Sequence, residues 1–103
     1  MVNRRMKRDV LLTLARLKSL VQDDRFQLVH RRDPLAAPVT TTLAKQIVRQ
    51  LQPSDFVKTE PNRNNPRQAV WIFKTGSGNS YYLKFVFTRH GQWIVFISFH
   101  LDR

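Results

Sequence analysis

The chain has 103 residues, 42% of them apolar, and a formal net charge of +11 from 18 Lys and Arg against 7 Asp and Glu. That length supports one modest core, so a single domain over residues 1–103 is expected, and the apolar fraction argues against a disordered tail. The charge calls for an anionic partner, whether nucleic acid, an anionic membrane or an acidic protein, and the absence of cysteine excludes disulfides and thiolate metal sites.

Residues 1–8 are a basic stretch that reads as a solvated, frayed end. The leucine-rich segment behind it is interrupted by Asp9, Arg16 and Lys18 and does not reach the roughly 20 apolar residues that span a bilayer. A cytoplasmic protein without a membrane partner is expected. Val10, Leu14, Leu17 and Val21 recur at helical spacing, with Leu11 and Leu20 widening the stripe, so residues 9–21 predict an amphipathic helix. Residues 25–30 alternate as a short strand that ends at Pro34. Hydroxyls at Thr40, Thr41 and Thr42 offer helix caps, and Leu43, Ile47, Val48 and Leu51 predict a second helix running to Pro53. Residues 55–58 read as briefly extended, 60–67 as a polar loop, 68–74 as a strand, and 76–79 as a turn. A hydrophobic hairpin over residues 82–100 then completes an antiparallel sheet.

The register of that hairpin decides which side chains meet, because a slip of one residue exchanges every face. A two-residue loop at His90 and Gly91 scatters Lys84 and His100 to different sides. A three-residue loop, with Gly91 left-handed, pairs Thr88 with Gln92 and collects Tyr81, Leu83, Phe85, Phe87, Trp93, Val95, Ile97 and Phe99 into one apolar layer. The second reading is preferred. Its other face carries Tyr82, Lys84, Ser98 and His100, with Tyr82 opposite Ser98 and His100 diagonal to it.

Tyrosine, lysine and histidine at one corner of a basic sheet suit RNA backbone cleavage. That reaction needs one proton removed, one delivered, and charge stabilised at phosphorus. Histidine, with an ordinary pKa of about 6.5, serves as acid or base, and lysine holds phosphate oxygens. Simpler readings compete: His100 as strand-end decoration, Lys84 snorkelling to water, Tyr82 as packing. Arg63 and Arg67 either clamp RNA or decorate a mobile loop. His30, His90 and His100 lack the carboxylate or thiolate companions of a zinc site, so no metal and no cofactor is expected.

Five segments together resemble the MqsR toxins: Leu17-Lys-Ser-Leu-Val21, Ser54-Asp-Phe-Val-Lys58, the strand with Trp71, Tyr82-Leu-Lys84, and Ile97-Ser-Phe99. The likeness covers nearly the whole chain in order and spacing. It implies an α+β fold, a RelE-like small antiparallel sheet with two helices packed on one face. It also implies a messenger-RNA endoribonuclease neutralised by a cognate antitoxin, with contact to the ribosome open. Carried over by position, the family's functional lysine falls on Lys58 and its tyrosine on Tyr82. The lysine of its last strand is replaced here by His100. The family's glutamine after the strand tryptophan falls on Ile72, so that role is lost or moved, with Gln68 the nearest substitute.

The leading expectation is therefore a metal-independent endoribonuclease toxin. Lys58, Tyr82 and His100 form its catalytic group, and Lys84, Arg63, Arg67 and Gln68 bind RNA and phosphate. Arg89, at the hairpin tip, is left out. The alternative is a non-catalytic basic module that binds nucleic acid through the same face.

Overall fold

The computed structural model describes residues 4–29, 39–76 and 80–102. Helix α1 (Arg4–Gln22) leads to strand β1 (Phe26–Leu28), helix α2 (Thr41–Gln50) and a short 3-10 turn (Pro53–Asp55). Strands β2 (Phe56–Asn62), β3 (Asn65–Lys74), β4 (Tyr81–Thr88) and β5 (Trp93–Leu101) follow. The strands form one sheet in the order β1-β5-β4-β3-β2. The expected α+β fold is present, with β2 to β5 an antiparallel meander. The sheet is mixed, however, because β1 lies parallel to β5 with Phe26 opposite Ile94. α2, β2, β3 and β4 lie between β1 and β5 in the chain, so no hairpin dictates their relative direction.

Val10, Leu14, Leu17, Leu20 and Val21 of α1 are buried, as their spacing predicts, whereas Leu11 remains 54% exposed. At the end of α1 the chain turns through a left-handed Asp24 (φ 61°), and the Arg25 N–H reaches back to the Leu20 carbonyl at 2.9 Å. Asp24 then holds Lys45 of α2 at 2.7 Å. Thr40 caps α2, its hydroxyl accepting the Leu43 N–H at 3.1 Å. Both helices cover one face of the sheet, where Phe73, Leu83, Phe85, Ile94, Phe96 and Phe99 complete the core. On the opposite face Val70, Ile72 and Val86 form a smaller cluster with Tyr82, Val95 and Ile97.

Three expectations are corrected. Residues 4–8, expected as a frayed end, form the first turns of α1. Residues 60–67 are mostly strand: only 63 and 64 turn, and the Asn62 side chain stabilises that turn by accepting the Asn64 N–H at 3.0 Å. Pro61 is tolerated because β2 is the sheet edge. In the β4–β5 hairpin the loop has four residues, with positive φ at Arg89, His90 and Gly91, and Thr88 pairs with Trp93, not Gln92. Ile94 and Phe96 consequently enter the core, and Val95 and Ile97 join the opposite face. His30, the strand ending at 31–34 and the turn through 77–79 lie outside the described residues.

Candidate functional site

Two β-bulges assemble the uncovered face of the sheet. Phe56 belongs to the core beside Phe73, and strict alternation would send Lys58 the same way. The register shifts at Val57, so that Lys58 pairs with Ile72 and faces away from the helices. β5 repeats the device: Phe96 lies opposite Phe85 and Ser98 opposite Lys84, leaving Ile97 as the extra residue. The shift returns Phe99 to the core and turns His100 outward, directly opposite Tyr82.

The resulting face is ordered in rows. Lys74, Tyr82 and His100 stand in register across β3, β4 and β5. The next row carries Lys58, Ile72, Lys84 and Ser98. Tyr82 and Lys84 are two residues apart on one strand, hence about 7 Å from each other. The rings of Tyr82 and His100 stack with centroids 5.5 Å apart and planes 21° apart. His100 Nδ1 lies 3.0 Å from the Leu101 carbonyl, and a carbonyl oxygen only accepts, so Nδ1 carries a hydrogen. The opposite nitrogen, Nε2, is thereby left to take up or release a proton.

Glu60 joins Lys58 and Lys84. One carboxylate oxygen sits 2.9 Å from Lys84 Nζ and the other 3.7 Å from Lys58 Nζ. The hydrogen bond from Lys84, with the charges of both lysines, holds the Glu60 carboxyl below its ordinary value despite some desolvation. Sequence reasoning missed this residue by assigning it to a loop. The alternation Lys58-Thr59-Glu60 was the available signal, since it puts both charges on one face of a strand. Lys74, also unremarked in the sequence, pairs with Asp102 at 2.8 Å beside Tyr82, and the hydrogen bond and charge of that carboxylate raise its pKa.

Gln68 and Arg63 sit farther along the same face. There an open trough of about 740 Å³ runs from Lys84 and Glu60 past Val86 and Val95 to Asn62 and Gln68. Gln68 Nε2 donates to the Phe87 carbonyl at 2.8 Å, and its Oε1 accepts from Asn62 Nδ2 at 2.7 Å. Arg63 lines the trough from the β2–β3 turn, while the exposed Arg67 does not line it. Arg89 packs its guanidinium 4.4 Å over the Trp93 ring at the hairpin tip. Among the described residues no group of three or more His, Cys, Asp or Glu side chains is placed to hold a metal ion.

A family model described as "Motility quorum-sensing regulator, toxin of MqsA" matches residues 10–101. The chain belongs to the MqsR toxin family. A search of curated proteins returned no match. As an MqsR-family member, the protein is the toxin of a toxin–antitoxin system, and a cognate antitoxin is its partner. Among the described residues no helix is long and apolar enough to cross a membrane.

Proposed function

We propose that this toxin is a metal-independent endoribonuclease that cuts messenger RNA by attack of a 2′-hydroxyl on the adjacent phosphate. The observation that carries this reading is the Tyr82–His100 stack, one row from the Lys58–Glu60–Lys84 cluster on the sheet face opposite α1 and α2. In the reaction the 2′-oxygen bonds to phosphorus as the bond to the 5′-oxygen breaks. The products are a 2′,3′-cyclic phosphate and a 5′-hydroxyl. One proton leaves the 2′-oxygen and one reaches the 5′-oxygen. His100 performs one of these transfers through Nε2, and the Tyr82 hydroxyl positions the phosphate or performs the other. Lys84 and Lys58 stabilise the charge gathering on the phosphate oxygens once RNA displaces the Glu60 carboxylate. The net charge of +11 draws RNA to this face and offers the antitoxin a basic surface to neutralise.

Purified protein incubated with mixed-sequence RNA in EDTA should release fragments ending in 2′,3′-cyclic phosphate. Intact RNA that binds in a salt-sensitive manner identifies the protein as a non-catalytic module instead. Full activity in His100→Ala removes the acid–base role assigned to that residue.

A further inference from the structure

A sheet face turned to solvent ordinarily alternates core-facing apolar with outward polar residues. Half of this face departs from that rule. Val70, Ile72 and Val86 are buried there, each with 4% or less of its surface exposed, and Val95 and Ile97 pack against them. Among the described residues no helix covers this cluster, because α1 and α2 pack on the other face. The trough above it keeps an aliphatic floor between two polar ends, Lys84 with Glu60 at one and Asn62 with Gln68 at the other.

The amide end is preset. The Phe87 carbonyl can only accept, so the Gln68 atom facing it is the nitrogen, and Gln68 Oε1 must accept from Asn62 Nδ2. The Asn64 N–H can only donate, which fixes Asn62 Oδ1 at the other end of the relay. Backbone groups at both ends therefore set the orientation of both amides. Each nitrogen keeps one N–H uncommitted by these bonds, and each oxygen keeps a lone pair. A flat aliphatic floor with oriented donors and acceptors at its edge matches a planar ring that carries polar groups on its rim. A lysine cluster at the opposite end matches a phosphate attached to that ring.

We propose that the trough is a nucleobase subsite. It seats the base of a nucleotide next to the scissile phosphate on Val95 and Ile97, above the buried Val86, and it reads the base edge with Asn62 and Gln68. This assignment rests on the ribonuclease reading and deepens it. The sheet face then divides into a reacting row at Tyr82 and His100, a phosphate row at Lys58 and Lys84, and a base row beyond them. Selection of the cut site resides in the last.

The test maps fragment ends from a randomised RNA pool cut by wild type, Asn62→Ala and Val95→Phe, the last filling the floor. Wild type should prefer particular bases at one position beside the cut. Asn62→Ala should flatten that preference by about threefold to tenfold, the effect of one lost hydrogen bond, and Val95→Phe should abolish it. A wild type without preference, or variants with unchanged preference, overturns the subsite. A second arm separates this proposal from the reaction itself. Binding of uncleavable 2′-O-methyl oligonucleotides is compared with that of the same strand made abasic at one internal nucleotide. Weaker binding of the abasic strand by wild type but not by Val95→Phe supports the subsite even if no cleavage occurs. Equal binding of both strands by wild type overturns it. Absence of cleavage with the base effect intact overturns only the ribonuclease reading.

Discussion

Tyr82 and His100, eighteen positions apart in the chain, face each other across β4 and β5 with ring planes 21° apart. The stack orients the imidazole, and the Leu101 carbonyl fixes which nitrogen is free. Removing the imidazole in His100→Ala should lower cleavage by about 10²–10⁴-fold, the usual scale of general acid–base catalysis. The fold should lose only about 1 kcal/mol, since an aromatic pair contributes that order beyond area burial. Tyr82→Phe keeps the stack and removes the hydroxyl. If its rate matches Tyr82→Ala, the hydroxyl takes part in the chemistry; if it matches wild type, Tyr82 acts only by holding His100. Initial rates on a fluorogenic RNA, with urea melts run in parallel, separate these outcomes.

The alternating sequence already placed Tyr82, Lys84 and His100 on one face, and the structure agrees, yet through a different register. The four-residue loop shifts the pairing by one residue and the bulge at Ile97 shifts it by one more in the same sense, so at His100 the face is restored while Tyr82 pairs with His100 and not with Ser98. Between loop and bulge only the first shift acts and the faces are exchanged, which is why Ile94 and Phe96 occupy the core in place of Val95 and Ile97. β5 is apolar at every position from Trp93 to Ile97, so period-2 contrast is absent where it was needed. Helix positions were legible because Leu17, Val21, Ile47 and Val48 repeat at 3.6 residues against polar neighbours. Glu60 was hidden by Pro61 and the asparagines after it, which read as loop until their place on an edge strand is known.

The register on β5 has a measurable signature. Phe96 is fully buried against the rings of Phe26, Phe85 and Phe99, so Phe96→Ala should destabilise the protein by about 3–5 kcal/mol. Ile97, on the open face, should lose less than half of that as Ile97→Ala. An unbroken strand with the three-residue loop reverses the order. Urea denaturation of the two variants decides between the registers.

Three threonines stand at the start of α2, and only Thr40, just before its first turn, is placed as the cap. Thr40→Ala should destabilise by about 1 kcal/mol, the common value for losing a capping hydroxyl. Thr41→Ala and Thr42→Ala should change stability by about 0.5 kcal/mol or less. Thermal melts of the three variants check the assignment, and a larger loss at Thr41 or Thr42 moves the cap.

Glu60 occupies the two lysines that the proposed reaction assigns to RNA phosphate, so Glu60→Gln should bind RNA more tightly than wild type. Each lysine newly engaged steepens the salt dependence on single-stranded RNA by about 0.7 in the log–log slope. The pH dependence carries a definite sign. The carboxyl is held below its ordinary value by Lys84, so its stabilising contribution is present above the unfolded-state pKa and is lost as pH falls through the lowered one. Across that acidic window the clamp opens and the lysines are released, while RNA phosphodiesters remain ionised. Wild-type affinity should therefore rise toward that of Glu60→Gln as pH falls, and the gap between the two proteins should be widest at neutral pH. Fluorescence anisotropy with an uncleavable RNA, at fixed ionic strength, measures this gap directly and isolates Glu60 from every other group that titrates in both proteins. A gap that stays constant from neutral to acidic pH refutes the clamp, and a Glu60→Gln protein that binds more weakly than wild type makes Glu60 a positioning residue for Lys84.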